Sequence, residues 1–190
     1  MRQRFPCETE VDGFLSSQLE RRSGPGFSPV SLAALCSGVE ALLQTHLDLG
    51  FEISSPRWLT GGASKLQMAF DLAWYPDTAE RVRTPLVMRM QPAESIVESS
   101  RLREFQLINA LAGQVPVPRA YWVDTEGAYL PYPALIYALA DGVTKPSSGV
   151  GGEVSGMGTN YGARLRGLLA PQFVDILARI HTFNWRAADL

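Results

Sequence analysis

Two strand-like segments joined by a glycine turn constrain the fold of this chain most strongly. The first segment ends at Leu59, and the second, residues 65–74, reads as a long strand with imperfect alternation of apolar and polar side chains. Residues 60–64 (Thr-Gly-Gly-Ala-Ser) connect them. Glycine has no Cβ, so such a turn lets backbone N–H groups approach a phosphate, but Gly-Gly is also common in hairpin turns that bind nothing. The sequence predicts a β-hairpin and leaves both interpretations of the turn open.

Composition narrows the class of protein. The 190 residues suit one domain, or one domain and part of another. A formal net charge of −2 gives no indication of nucleic acid or an anionic membrane as partner. Cys7 and Cys36 are too few for a disulfide framework or a zinc site, and no metal site is expected in this chain. No apolar run has the length of a signal peptide or a membrane span, so we expect a cytoplasmic protein.

The remaining pattern predicts an α+β fold with about five antiparallel strands and one helix packed on them. Beyond the hairpin, the predicted strands are residues 84–90, 120–123 and 134–139. The predicted helices are residues 8–22 and 30–49 before the sheet, 96–112 after the third strand, and a last helix opened by Pro171. Ser95 and Glu98 suggest a capping box for the third helix.

The last predicted helix carries an apolar face that no later element of the chain can cover. Its members are Phe173, Ile176, Leu177 and Ile180. We expect this face to pack on the sheet, on a second copy of the chain in a homodimer, or on a part of the protein outside this sequence.

A carboxylate falls within the apolar arc of the helix predicted at residues 96–112. A buried, unpaired charge is strongly disfavoured, so Glu104 needs a cation. The nearest candidate is Arg89 on the preceding strand. In this order after a glycine hairpin, the two residues predict a clamp for nucleotide phosphates; the alternative is a surface arginine and a solvated glutamate. Lys65 either supplies a second cation or points to solvent.

From about residue 55 to its end, the sequence resembles the N-terminal part of the aminoglycoside-phosphotransferase-like enzymes, small-molecule kinases with a protein-kinase-like fold. Within that family it is most similar to the branch related to phosphotransferase domains fused to acyl-CoA dehydrogenases, in which an arginine and a proline close the third strand. The segments that carry the resemblance are residues 59–64, 86–92, 103–105, 115–118, 135–142 and 177–181.

The resemblance implies a kinase-like N-lobe that binds the cofactor ATP, with magnesium, in the full-length protein. It implies three groups of cofactor-binding residues: Gly61, Gly62, Ala63 and Ser64 over the phosphates; Arg89, where the family usually has a lysine, oriented by Glu104; and Tyr137, Ala138 and Leu139 as an interlobe hinge at the adenine edge. The arginine is a departure, because a guanidinium is larger and forked and cannot hold a phosphate at the same depth as an ammonium.

The catalytic His-Gly-Asp, asparagine and metal-binding aspartate that the family places after the hinge are not in this sequence. His181 is followed by Thr182, and the aspartates after Asp141 are Asp175 and Asp189. We therefore expect the N-terminal part of a longer phosphotransferase that acts on a hydroxyl of a small molecule, with no catalytic residue and no turnover in this fragment. The acceptor is not readable from the sequence.

The expected organisation has four parts. They are an N-terminal helical extension (residues 1–54), a nucleotide-binding lobe (55–141), a Gly/Ser-rich flexible loop that is a lid or a plain insertion (142–162), and the start of a helical second lobe (163–190). Two alternatives stay open. One is a non-catalytic, pseudokinase-like module that binds nucleotide or a partner protein, and the other is a structural protein in which Gly-Gly is only a turn.

Overall fold

A five-stranded antiparallel sheet forms the centre of the computed structural model, which describes residues 8–22, 29–59, 65–76, 80–92, 99–142 and 162–188. The spatial order of the strands is β1-β2-β3-β5-β4. The strands are β1 (Glu52–Trp58), β2 (Leu66–Trp74), β3 (Val82–Met90), β4 (Ala120–Asp124) and β5 (Ala134–Ala138). The helices are α1 (Thr9–Arg22), α2 (Leu32–Gln44), α3 (Arg101–Leu111) and α4 (Gly162–Thr182), followed by a short 3-10 helix (Trp185–Ala187). The predicted α+β class and the five antiparallel strands are confirmed.

The two faces of the sheet differ because successive side chains of a strand alternate. One face joins the buried side chains of α2 in the main hydrophobic cluster, to which Met68, Phe70 and Met88 belong. The opposite face carries Arg89, which is paired across the strands with Gln67 on β2 and Leu135 on β5. A fully buried aliphatic or aromatic side chain contributes roughly 1.5–3 kcal/mol, so packing against α2 stabilises the first face. The second face also buries apolar side chains, among them Val87 and Leu135, next to Arg89.

Both ends of α2 and the start of α3 differ from the prediction. Helix α2 begins after its N-cap Ser31, whose side chain accepts a hydrogen bond from the Ala34 N–H at 3.1 Å, and it ends at Gln44, five residues early. Helix α3 begins after Ser100 and not at residue 96; the predicted cap at Ser95 and Glu98 lies outside the described residues. The observed N-cap, Ser100, supplies at this position the hydroxyl acceptor that the prediction expected at Ser95.

Helix α4 does not open at Pro171, which lies in its interior. Proline lacks the N–H needed for the intrahelical bond and usually marks a start or a kink, which is why the prediction began the helix there. Apolar residues at helical spacing upstream, Leu165, Leu168 and Leu169, extend the helix back to Gly162.

The turn between β4 and β5 is organised by a buried carboxylate. The Asp124 side chain is 4% exposed. One of its oxygens accepts the Ala128 N–H at 2.8 Å, and the other accepts the Tyr129 and Leu130 N–H groups at 2.9 Å each. Gly127 lies within the turn at φ +72°, a backbone conformation that favours glycine. This turn sets the position of β5, and thereby of the segment predicted to be a hinge.

An ion pair connects the start of α1 with α3. Glu8, just before α1, lies 2.7 Å from the Arg103 guanidinium of α3 in an exposed ion pair. Within the described ranges, none of the helices combines the length and the apolar character needed to cross a membrane. Residues 143–161 of the predicted loop lie outside the described residues, and the predicted division into four parts stays a prediction.

Candidate functional site

The ion pair predicted between Arg89 and Glu104 is present. The Arg89 Nη1 donates a hydrogen bond to the Glu104 Oε1, and the two side chains are 29% and 21% exposed. Arg89 extends from the face of β3 opposite the α2 cluster. Glu104 lies in the first turn of α3, where the free N–H groups and the helix dipole favour a negative charge. The geometry therefore matches the clamp hypothesis, while its role in binding a nucleotide stays a prediction.

Sequence reasoning missed a second arginine at the same carboxylate. The Arg101 Nη2 lies 2.7 Å from the Glu104 Oε2, so each oxygen of Glu104 is paired with a different guanidinium. The Arg101 side chain is fully buried, with 0% exposed. The signal was available in the spacing, because residues three apart on a helix lie on the same face. Its complete burial depends on tertiary packing.

Arg101 and Lys65 meet at the side chain of Gln91. The Arg101 Nη2 donates to the Gln91 Oε1 at 3.2 Å and also contacts the Ser99 Oγ. Lys65 Nζ donates to the same Gln91 oxygen. Lys65 therefore lies beside the clamp, and its role as a second cation for a phosphate stays a prediction. Below, the arginine cluster means Arg89, Arg101 and Glu104 together with Lys65 and Gln91.

The arginine cluster carries more positive than negative charge. Arg89 and Arg101 both pair with the carboxylate of Glu104, so these three residues together carry one positive charge. Burial lowers the pKa of Arg101 most; Glu104 and Tyr137 raise it, and nearby Arg89 lowers it. Two like charges held at low solvent exposure repel each other, and a bound anion would relieve that repulsion.

Several donor atoms of the arginine cluster have no acceptor. Among the described residues, the buried side-chain nitrogens without a hydrogen-bond partner are Arg89 Nε, Gln91 Nε2, Arg101 Nε and Arg101 Nη1. All belong to this cluster, although buried donors in folded proteins are nearly always satisfied. An unmet buried donor costs about 1–3 kcal/mol, so their concentration at one place marks a candidate site for an oxygen-rich ligand.

The predicted hinge lies beside the arginine cluster. Tyr137 is paired with Val87 on β3, on the same face of the sheet as Arg89. Burial raises the pKa of the Tyr137 hydroxyl, while the charges of Arg89 and Arg101 lower that pKa and the charge of Glu104 raises it. The Ala138 and Leu139 N–H groups donate to the Arg119 and Pro85 carbonyls at 2.9 Å each. Those two N–H groups are therefore engaged in the sheet, and a role for the segment at the adenine edge stays a prediction.

The predicted phosphate-covering residues, Gly61, Gly62, Ala63 and Ser64, lie outside the described residues. The structure describes the chain on either side of them. The Leu59 N–H donates to the Gln67 carbonyl at 3.0 Å, and Gln67 is the residue opposite Arg89 on β3. The hairpin therefore brings the two ends of the predicted turn to the Arg89 end of the sheet.

A separate open cleft lies between α3 and the region after α4. It has a volume of about 750 Å³ and is lined by residues including Phe105, Asn109, Arg179 and Phe183, none of them in the arginine cluster.

The apolar face of α4 is exposed: Phe173 by 67%, Leu177 by 55% and Ile180 by 44%. Among the described residues, no three histidine, cysteine, aspartate or glutamate side chains are grouped as metal ligands.

Comparison with known proteins adds little to this geometry. No family model matches the sequence, and no curated protein matches it. Among solved structures, the crystal structure of a proposed aminoglycoside phosphotransferase from Ralstonia eutropha JMP134 aligns with a TM-score of 0.39 and 21% identity. The match covers 57% of this chain and 28% of that chain, so this sequence spans under a third of the neighbour's length. The neighbour bears the name of the family that the sequence resembles. Membership of that family and the branch within it both stay predictions.

Proposed function

We propose that this chain is the nucleotide-binding part of an ATP-dependent phosphotransferase that transfers the γ-phosphoryl group to a hydroxyl of a small molecule. The observation that carries the proposal is the contact between Arg89 of the third strand and Glu104 of the following helix. The contact lies on the sheet face opposite α2 and at the end of the sheet where Leu59 and Lys65 flank residues 60–64. A cation on the third strand paired with a glutamate on the next helix is the phosphate clamp of kinase-type folds.

The residues of the arginine cluster fit a triphosphate. Their charge is positive in excess, and their unpartnered nitrogens are hydrogen-bond donors, while phosphate oxygens are acceptors only. Arg89 would contact the phosphates directly because it is the more exposed of the two guanidiniums, at 29% against 0%. ATP supplies the phosphoryl group when bound, with magnesium as its counter-ion. Glu104 would orient Arg89, and Arg89 would position the phosphates and neutralise part of their charge. Positioning and charge neutralisation are the main sources of catalysis in phosphoryl transfer.

The catalytic groups for the acceptor hydroxyl belong, in this proposal, to a part of the protein outside this sequence. The 190-residue chain should then bind nucleotide without turning it over. The exposed apolar face of α4 would pack on that additional part, or on a second copy of the chain. The remaining features of the proposal are a small-molecule substrate, no nucleic-acid or membrane partner and a cytoplasmic location.

Titration with magnesium-ATP tests the binding half of the proposal. We expect saturable binding to the 190-residue chain and a thermal shift, since a ligand at a hundredfold its Kd stabilises a protein by about 2.7 kcal/mol, or roughly 5–10 °C at this size. Arg89→Met should abolish the shift. Arg81→Met is a matched control, because the Arg81–Glu52 ion pair is exposed and lies at the other end of the β2–β3 hairpin. Loss of binding in neither variant, or no binding by the native chain, contradicts the nucleotide site.

The catalytic half needs the longer protein. A chain extended downstream should hydrolyse or transfer phosphate from ATP in a magnesium-dependent manner when supplied with a panel of hydroxylated acceptors. Absence of such activity with every acceptor, in a protein that still binds ATP, favours the second candidate function, a pseudokinase-like binding module. The arginine in place of the family's lysine is the observation that favours this candidate, because a guanidinium held by a carboxylate reaches a phosphate at a different depth.

A further inference from the structure

We propose that Arg101 is a positioning residue of the phosphate site, which neutralises Glu104 and so leaves the charge of Arg89 available to a multiply charged phosphate. This inference rests on the proposed function and assigns it a residue that the Arg89–Glu104 clamp does not contain. It also assigns the site a preference: polyphosphate over a singly phosphorylated ligand.

The first step is the charge balance at Glu104. A single arginine on a single carboxylate forms a neutral pair with little net attraction for an anion. Here the Oε1 of Glu104 receives Arg89 and the Oε2 receives Arg101, so the three residues together carry one positive charge. Attraction to a ligand scales with the product of the charges, so this excess favours the most highly charged phosphate.

The second step is the difference in burial between the two arginines. The Arg101 side chain is 0% exposed, and its Nη2 is held by Gln91 and Ser99 as well as by Glu104. Arg89 is 29% exposed and has one described acceptor, Glu104. Arg101 is therefore a fixed charge behind the carboxylate, and Arg89 is the guanidinium that a ligand can reach. A residue that acts through Glu104 positions the site without touching the ligand.

The third step is the set of unmet donors. Among the described residues, the buried nitrogens that lack an acceptor belong to Arg89, Gln91 and Arg101. Gln91 is itself 1% exposed, and its oxygen already receives both Arg101 and Lys65. Its amide nitrogen and the Arg89 Nε are donors of a preformed cluster that has more donors than acceptors. A polyphosphate chain supplies several acceptor oxygens at once.

Calorimetric titration of the 190-residue chain with sodium tripolyphosphate, orthophosphate and magnesium-ATP tests the inference. Arg101→Met should weaken tripolyphosphate binding by about tenfold or more, because Arg89 and Glu104 then form a neutral pair with little attraction for the anion. It should weaken orthophosphate binding less, so that the preference for tripolyphosphate falls. Arg101→Lys, which keeps the charge, should restore most of the affinity. Arg81→Met, at an exposed ion pair on the other end of the hairpin, should bind like the native chain.

The double variant Arg101→Met/Glu104→Gln separates positioning from a merely structural role. Removing both charges leaves Arg89 with its single positive charge, the same sum that the three residues have in the native chain. If Arg101 acts by neutralising Glu104, the double variant should recover tripolyphosphate affinity relative to Arg101→Met. If Arg101 only maintains the fold, the second substitution should bring no recovery. If Arg101→Met fails to fold, which far-UV circular dichroism will show, the double variant and Arg101→Lys are compared with the native chain, whose tripolyphosphate affinity both should approach.

The outcomes separate this inference from the proposed function. Tripolyphosphate binding that depends on Arg101, without ATP binding, supports the inference and overturns the nucleotide function. ATP binding unaffected by Arg101→Met supports the function and overturns the inference. Binding of neither tripolyphosphate nor ATP by the native chain overturns both. Failure of both Arg101→Lys and the double variant to recover affinity overturns the positioning role.

Discussion

Substitution of Glu104 by glutamine should destabilise the protein far more than substitution of either residue of an exposed ion pair. The reason is the burial of Arg101, whose guanidinium is 0% exposed and has Glu104 as its ion-pair partner. Glutamine keeps the shape of the side chain but removes the charge. Arg101 then becomes a buried cation whose remaining described acceptors, Gln91 and Ser99, are neutral.

The structure gives the magnitude of this effect. Removing one partner of a fully buried ion pair costs about 3–5 kcal/mol. Glu104 is 21% exposed and partly hydrated, which reduces the figure to about 2–4 kcal/mol for Glu104→Gln. Arg89→Met should cost only about 1 kcal/mol, because Arg89 is 29% exposed and Glu104 keeps its bond to Arg101. The expected order of stability loss is therefore Glu104→Gln well above Arg89→Met.

Urea unfolding at 25 °C, followed by tryptophan fluorescence, measures these differences. Glu52→Gln and Arg81→Met are the matched controls, since their ion pair is 60% and 46% exposed and should contribute under about 0.5 kcal/mol. Equal losses for Glu104→Gln and Arg89→Met would show that the burial of Arg101 does not set the energetics. A loss below about 0.5 kcal/mol for Glu104→Gln would refute the claim that Arg101 depends on this carboxylate.

Three further predictions concern the fold and its pH dependence. Asp124→Ala should lower the free energy of unfolding in urea by about 3–5 kcal/mol, because three N–H groups lose a buried acceptor. Glu126→Gln removes an exposed carboxylate from the same turn and should have little effect, and similar losses for both variants contradict the role of Asp124. Gly38→Ala should destabilise the protein by about 1–3 kcal/mol, because the added Cβ would lie 2.7 Å from the Tyr129 carbonyl oxygen. Gly13→Ala, whose added Cβ meets open space on a helix, should stabilise the protein by up to about 1 kcal/mol. A stabilised Gly38→Ala variant refutes the close packing at Gly38. Burial raises the pKa of Tyr137, so the unfolded state loses the hydroxyl proton first and the free energy of unfolding should fall as pH rises above about 10. Tyr137→Phe should remove part of that fall in unfolding measured from pH 8 to 11. Identical pH dependence of stability in the variant and the native chain counts against the burial of this hydroxyl.

The antiparallel strands and the faces of the β2–β3 hairpin follow from local rules and could be predicted, whereas the position of β5 between β3 and β4 was not predicted. Alternation along the β2–β3 hairpin assigns Arg89 to the face opposite Met88, and the structure has it there. The exact ends of α2 and α3 could not be predicted, because several serines near each start could serve as N-cap and local sequence does not choose among them. The hairpin and the need of Glu104 for a cation were both readable before any coordinates.

The sequence alone determined that Glu104, a carboxylate on the apolar side of a helix, requires a positively charged partner. It also indicated Arg89, on the preceding strand, as the candidate. Only the tertiary structure decided which cations pair with Glu104. Two guanidiniums share Glu104, and the one that sequence reasoning overlooked, Arg101, is the more deeply buried. The physical reason is that the desolvation of a charge depends on every element packed around it, which spacing along one helix does not reveal.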